Sequence, residues 1–514
     1  MLISCTLVLL LSRGTSCATL GGNDSDLRSL LDFKRAITND PTGALSSWNT
    51  SVHFCAWKGI RCGARARHGR ARVVALDLAG QTLAGQISPS LTNLTRLASL
   101  TLSQSKFSGE IPPLGRLREL EFLDLSDNQL EGVVPDTLTN CSKLTTLNLT
   151  RNLLVGGIPR QITRLSNLST LKISFNNLSG VIPWDLSNIT SLQVIKLMHN
   201  QLEGSIPSEL GRLSKLTYLV IGQNRFTGGI PQAIYNLSLL YELALELNFL
   251  VGVLPLNIGD ALPNLQYLTL AINMLEGHIP SSLGNASGMW LMDLSGNRFT
   301  GQIPDSFSKL RYLSKLNLED NKLEAKDNQD WAFLDALSKC SVLQLFSVYG
   351  NMLQGVLPNS VGNLSSSINV LLFGNNSLSG LVPSSIGNLH NLTELGLDAN
   401  SFTGTIDGWV GTLTNLLGLF LNGNGFIQQI PSAISNLTKL TTLYLADNLF
   451  DGPIPYSLGS LPQLSLLDLS HNNLQGNIPK DIFTLTTMVE LAHARSWEQS
   501  DWIRTFSQEA FQHL

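Results

Sequence analysis

From Val73 to about Pro479 the apolar and polar positions repeat one pattern, L-x-x-L-x-L-x-x-N-x-L-x-G-x-I-P. Clean copies are Leu120–Pro135, Leu192–Pro207 and Leu464–Pro479. The ninth position falls at Gln81, at Ser105 and then at fifteen asparagines from Asn128 to Asn472, giving seventeen copies. Successive copies are 23 to 25 residues apart, except for the 30 between Asn321 and Asn351. The L-x-L centre alternates at period two, which predicts a short strand with leucines inward and the intervening residues outward. One such strand cannot bury its apolar face alone, so the copies must stack into a parallel sheet over a continuous core. Each position has a physical task. The asparagine side chain carries both a donor and an acceptor, and can satisfy backbone groups at the turn that would be costly to bury unpaired. The glycine relaxes the next bend. The I-P pair suits an irregular outer segment better than a helix interior.

The rest of the chain reads differently. Met1 to Leu11 is an apolar run too short to span a bilayer, followed by the small residues Ser16-Cys17-Ala18. Residues 1–18 therefore read as a secretory signal peptide, although no basic residue precedes the apolar run. No later stretch has the ~18 consecutive apolar residues of a transmembrane helix. Export would make fourteen Asn-x-Ser/Thr sequons glycosylation candidates: Asn23, Asn49, Asn93, Asn140, Asn148, Asn167, Asn177, Asn188, Asn236, Asn285, Asn363, Asn375, Asn391 and Asn436. A repeat rich in Leu, Asn, Ser and Thr also generates sequons by chance, so they support export without establishing it.

Composition narrows the function. Of 514 residues 43% are hydrophobic and 14% charged, with a net charge of −4. That excludes a disordered chain and gives no global reason to expect a nucleic-acid or anionic-membrane partner. Catalytic signatures are missing: there is no Gly-rich phosphate loop with Lys-Ser/Thr, no H-R-D or D-F-G, no G-x-S-x-G and no H-E-x-x-H. No cofactor or metal is expected. Cys141 and Cys340 lie in similar contexts on the outer arc and read as small buried thiols. The basic run Arg61 to Arg72 could meet an acidic partner, but a solvated loop is the better reading.

The repeat is that of a leucine-rich-repeat solenoid, α/β in class, with a parallel sheet on the concave face and short 3-10 or irregular segments outside. Its G-x-I-P variant resembles the plant-specific class, which implies a right-handed superhelix of about seventeen repeats over residues 73–488. Residues 19–72 resemble the plant N-terminal cap: Asp26 to Lys34 looks like its first helix, and Cys55-Ala56-Trp57-Lys58-Gly59-Ile60-Arg61-Cys62 matches its C-x-W-x-G-I-x-C signature. The resemblance implies a Cys55–Cys62 disulfide, which fits an oxidising compartment. A metal half-site is the other reading of that spacing, but no second Cys/His pair lies nearby. Leu323 to Leu337, where the copy loses G-x-I-P and gains six residues, carries L-E-A-x-D…W-x-F-L. This element is similar to one in the cereal receptor-kinase subfamily that includes the rice blight-resistance receptor and the flagellin- and elongation-factor-sensing receptors.

The chain departs from that subfamily at its end. Residues 489–514 show no repeat, no paired-cysteine cap, no membrane helix and no kinase. Either Trp497, Trp502, Ile503 and Phe506 build an improvised cap helix, or the sequence is truncated or runs into non-coding sequence; the second is preferred. Function is expected on the outward columns of the concave sheet. Most are small or polar, as at Ser126, Thr146, Thr150, Thr170 and Ser174. The exceptions cluster in copies five to ten: Phe175, Met198, His199, Tyr218, Val220, Tyr241, Glu242, Glu246, Tyr267, Ile272 and Trp290. Aromatics interleaved with carboxylates suit a peptide or protein ligand, with aromatic anchors for burial and acids for basic side chains. Cross-strand packing alone would also explain single aromatics. Leu372, Phe420 and Tyr444 form a lesser patch. The expectation is a secreted or cell-surface recognition module of a plant immune-type receptor, taking a peptide-like ligand and then a co-receptor leucine-rich-repeat kinase. A soluble inhibitor of microbial wall-degrading enzymes and a non-functional fragment are the alternatives.

Overall fold

The computed structural model describes residues 22–63, 71–406 and 408–492. The segment read as a signal peptide, most of the basic run and residues 493–514 lie outside them. The described residues fall into two compact units that divide after Leu178, each taken here by itself.

The first unit begins with a helix, Gly22–Arg35, whose Leu30 and Phe33 are fully buried. Lys34 Nζ donates to the carbonyls of Leu45 and Trp48 at 3.0 and 2.8 Å, tying the following turn to the helix end. Trp48 stacks on Trp57 with ring centroids 5.3 Å apart, and its indole N–H donates to the Lys58 carbonyl. Cys55 and Cys62 are joined in a disulfide, as the cap signature implied. Asp26 is fully buried and receives two hydrogen bonds of 2.8 Å from the Arg72 guanidinium, plus one from the Val73 backbone N–H. That bidentate geometry holds the Arg72 pKa above its usual value. Arg72 therefore serves as a structural clamp and not as part of a free basic patch. The strand Ile60–Cys62 pairs antiparallel with Val73–Asp77, and parallel strands follow at Ser99–Thr101, Phe122–Asp124, Thr146–Asn148 and Thr170–Lys172.

The second unit carries thirteen parallel three-residue strands among its described residues, from Val194–Lys196 to Glu490–Ala492. The last of them lies just past Met488, where the leucine-rich pattern was expected to stop. Each strand before Glu490–Ala492 is followed by a turn and a second, outer strand, then by an outer turn that is usually 3-10. Two outer turns are α-helical instead: Ile258–Ala261, and Ala332–Leu337 in the copy with six extra residues. There Trp331, Phe333, Phe346 and Phe373 form a buried aromatic cluster, so the insertion extends the core.

The asparagines do what the repeat demanded. Asn248 is buried; its Oδ1 accepts from the Phe226 N–H of the preceding coil at 3.0 Å. Its Nδ2 donates to the carbonyls of Ile221, Leu245 and Glu246 at 3.0 to 3.3 Å. The same set recurs at Asn152, Asn273, Asn297 and Asn448. Ser105, where the ladder lacks its amide, leaves a buried hydroxyl without a partner. Where a glycine stands two residues past the outer leucine it takes the left-handed conformation, as at Gly132 and Gly204 with φ of 76° and 79°.

Candidate functional site

The concave face of the second unit brings four of the expected aromatics together. Tyr218, Tyr241, Tyr267 and Trp290 form a continuous ladder, with successive ring centroids 5.3, 5.3 and 5.4 Å apart at tilts of 42° to 51°. The register explains it. Tyr218 pairs with Glu242, and Glu242 with Tyr267, so Tyr218 and Tyr267 occupy the third position of their copies. Tyr241 and Trp290 each sit one residue earlier. The rings thus alternate between the second and third positions of successive copies, and each meets the next. All four remain half-buried, leaving ring surface for a partner.

Charges frame the ladder. Lys196 Nζ lies 5.2 Å from the Tyr218 ring centroid and 3.3 Å from Glu242 Oε2. Lys315 Nζ lies 5.8 Å from the Trp290 centroid, and burial lowers its pKa. Glu246 accepts a 2.7 Å hydrogen bond from the Thr269 hydroxyl; desolvation nevertheless raises its pKa. Asp293, on the Trp290 coil, and Glu319, on the coil after it, are pushed by burial to about 6 and about 7. Sequence reading passed over Asp293, Glu319 and Lys315 because isolated charges on a polar face read as solvated.

The remaining expected residues sit elsewhere. Val220 is only 5% exposed, covered at a strand position that pairs with Lys196 and Ala244. His199 and Ile272 have φ of 57° and 52°, so they occupy the left-handed turn after the strand and not an outward strand column. His199 Nδ1 lies 2.6 Å from Gln223 Oε1 in the next turn, and Ile272 is exposed. Met198 is half-buried at the strand end. Phe175 belongs to the first unit, again in the left-handed turn, with the Arg151 guanidinium 5.1 Å from its ring centroid.

Seven sequon asparagines, Asn93, Asn140, Asn188, Asn236, Asn285, Asn363 and Asn436, are exposed and each closes a 3-10 turn on the outer side. Asn148 lies instead on a concave strand of the first unit, its Oδ1 accepting from the Thr150 N–H. Cys141 and Cys340 are buried and unoxidised, and burial lifts both thiols to about 11, which makes poor nucleophiles. Among the described residues no group of three or more His, Cys, Asp or Glu is placed to hold a metal, and no helix is long and apolar enough to cross a membrane.

Comparison with known proteins fits this architecture. The model of the leucine rich repeat N-terminal domain matches residues 23–63. Models of the leucine rich repeat match 390–450 and six further copies between 119 and 485. The solved plant peptide hormone receptor RGFR1, in complex with RGF2, is 32% identical with a TM-score of 0.72, over 80% of this chain and 69% of that one. The chain is a leucine-rich-repeat protein, homologous to plant leucine-rich-repeat receptor kinases and receptor-like proteins. The leucine-rich-repeat ectodomain of the Arabidopsis receptor kinase HAESA, solved with the peptide hormone IDA and the co-receptor SERK1, is 28% identical with a TM-score of 0.61, over 91% of this chain and 93% of that one. Among curated relatives, the leucine-rich-repeat receptor-like serine/threonine-protein kinase EFR of Arabidopsis thaliana is 43% identical over 101 residues. That alignment takes in 19% of this chain and 9% of that relative, so this leucine-rich-repeat protein spans less than a tenth of the relative's length.

Proposed function

We propose that this chain is the extracellular recognition domain of a plant immune-type receptor, and that it binds a peptide or protein ligand along the Tyr218–Tyr241–Tyr267–Trp290 ladder. The ladder carries the reading. Four half-buried rings in contact make a rigid apolar strip with little side-chain entropy left to lose, which is what a binding anchor requires. The flanking Glu242, Glu246 and Lys196 supply polar contacts that fix register. Peptide complexes of RGFR1 and HAESA support the ligand class, and the SERK1 in the HAESA complex supports a co-receptor of similar build. The reading places the domain outside the cell, secreted or displayed at its surface, with recognition and not bond-making as its chemistry.

The test is selection of a displayed random peptide library on the purified protein. Enriched peptides should lose at least tenfold in affinity on the Tyr218→Ala, Glu242→Ala and Tyr267→Ala variants. Unchanged affinity on all three, with thermal unfolding intact, would remove the ladder from the binding surface. Fusing the domain to a receptor kinase and reading defence output against microbial extracts tests the immune role separately.

A further inference from the structure

Four coils beyond the ladder, the concave face of the second unit holds an arrangement that the ladder does not use. The strand Glu394–Gly396 and the residues after it place Glu394, Gly396 and Asp398 at successive outward positions. The neighbouring coils put Leu372 and Phe420 beside Gly396 in the sheet register. Asp398 is 2% exposed, and its Oδ2 has no hydrogen-bond partner. Asn422, at the matching position of the next coil, is 7% exposed, and its Oδ1 has none either. Among the described residues no ion pair involves Glu394 or Asp398.

Two buried acceptors without a donor, on adjacent coils at matching positions, are unfavourable in a resting protein and would be satisfied by a donor from a partner. The surroundings show how one could enter. Glycines at 374, 396 and 418 leave three outward positions without side chains. A methyl group placed on Gly374 would lie 2.5 Å from Asp398 Oδ1 and 2.8 Å from the Tyr349 ring. One on Gly418 would lie 2.9 Å from the Phe420 ring. The carboxylate thus shares the empty Gly374 position with the Tyr349 ring and the empty Gly396 position with Leu372, while the Phe420 ring leans over Gly418, so a group entering there would displace these side chains. A planar cation on an apolar stem matches this environment, with donors in a fork for the oxygens and a flat face for the rings.

We propose that Asp398, Asn422 and Glu394 form a guanidinium slot that takes an arginine side chain of the peptide ligand. The proposal rests on the peptide-receptor reading but uses a surface separate from the ladder. The experiment is calorimetric titration of the full chain with acetyl-Gly-Ala-Arg-Ala-Gly-amide, with the same peptide carrying citrulline, and with agmatine. The arginine peptide should bind at least tenfold more tightly than its neutral citrulline counterpart. Asp398→Asn and Asn422→Ala should each weaken it to near the citrulline level, while Asp398→Glu keeps the preference. A Tyr456→Ala variant, on an exposed outer turn away from both surfaces, should bind it unchanged, and arginine-free peptides selected on the ladder report separately on failure of the ladder. No binding of the arginine peptide, equal binding of the citrulline peptide, or unchanged binding by both slot variants would overturn the slot. Agmatine binding as tightly as the peptide would overturn the assignment to a peptide.

Discussion

Replacing Asp398 by asparagine should stabilise the protein at alkaline pH and leave it nearly unchanged in acid. Burial pushes the Asp398 carboxyl from 3.8 to about 7, and the negative charge of Glu394 pushes the same way. A folded carboxyl that holds its proton more tightly than the unfolded one loses stability as pH rises. The loss begins near the unfolded pKa and is complete once the folded pKa has been passed, so the window runs from about pH 4 to about pH 7. With those two values, the part falling between pH 5 and pH 8 is about 3 kcal/mol. Solvent screening takes little from this, because the side chain is 2% exposed. Asparagine has the shape of the protonated acid and no titration. The assay is urea unfolding of wild type and Asp398→Asn at pH 5 and pH 8. The variant's gain should be larger at pH 8 than at pH 5 by that amount, so the fall between the two pH values shrinks accordingly. Because Glu319 and Asp293 are also raised, to about 7 and about 6, the variant should keep part of the slope. A variant less stable than wild type at pH 8, or one with the wild-type slope, would show that the carboxylate has a partner and that the account of the slot is wrong.

Other outcomes follow from the same structure. Asn248→Ala strands the Phe226 N–H and two buried carbonyls, so protection of the Phe226 amide in hydrogen exchange should fall by about 2–4 kcal/mol, roughly 30- to 700-fold. Tyr241→Ala removes the ring that touches both Tyr218 and Tyr267, and should weaken selected peptides more than either end of the ladder does. Replacing Cys55 and Cys62 together by serine should cost about 2.5 kcal/mol in urea unfolding of the cap, the loop-entropy value for so short a ring. Glycosidase treatment of protein secreted from plant cells should lower its mass through the outward-facing sequons, and mapping should find Asn285 and Asn436 occupied.

The scaffold was legible because its rules are written at every copy. Leucine at fixed spacing forces the strand face inward, and asparagine at the ninth position has one low-energy use. The cap was legible from a compact signature around Cys55 and Cys62. The candidate site was legible only in part. That Tyr218, Tyr241, Tyr267 and Trp290 share a face follows from the repeat; that each ring touches the next depends on side-chain rotamers, which periodicity does not reveal. His199, Ile272 and Phe175 were assigned to strand columns but fall in left-handed turns, because the eighth position of the copy lies past the three-residue strand. Val220 points outward yet is covered by its neighbours. Asp398 and Asn422 looked like ordinary solvated polar residues, since burial by side chains from adjacent coils is set by glycines more than twenty residues away in sequence.

The asparagine ladder has a consequence for how such a protein changes over generations. Coils with the ninth-position asparagine, as at Asn248, Asn273 and Asn297, hand their neighbours the same hydrogen bonds through the same amide, so these junctions are chemically interchangeable. Copies can be gained, lost or exchanged by recombination without leaving a mismatched seam. The outward positions take no part in those junctions, so new specificities can be tried there while the stability of the array is inherited intact.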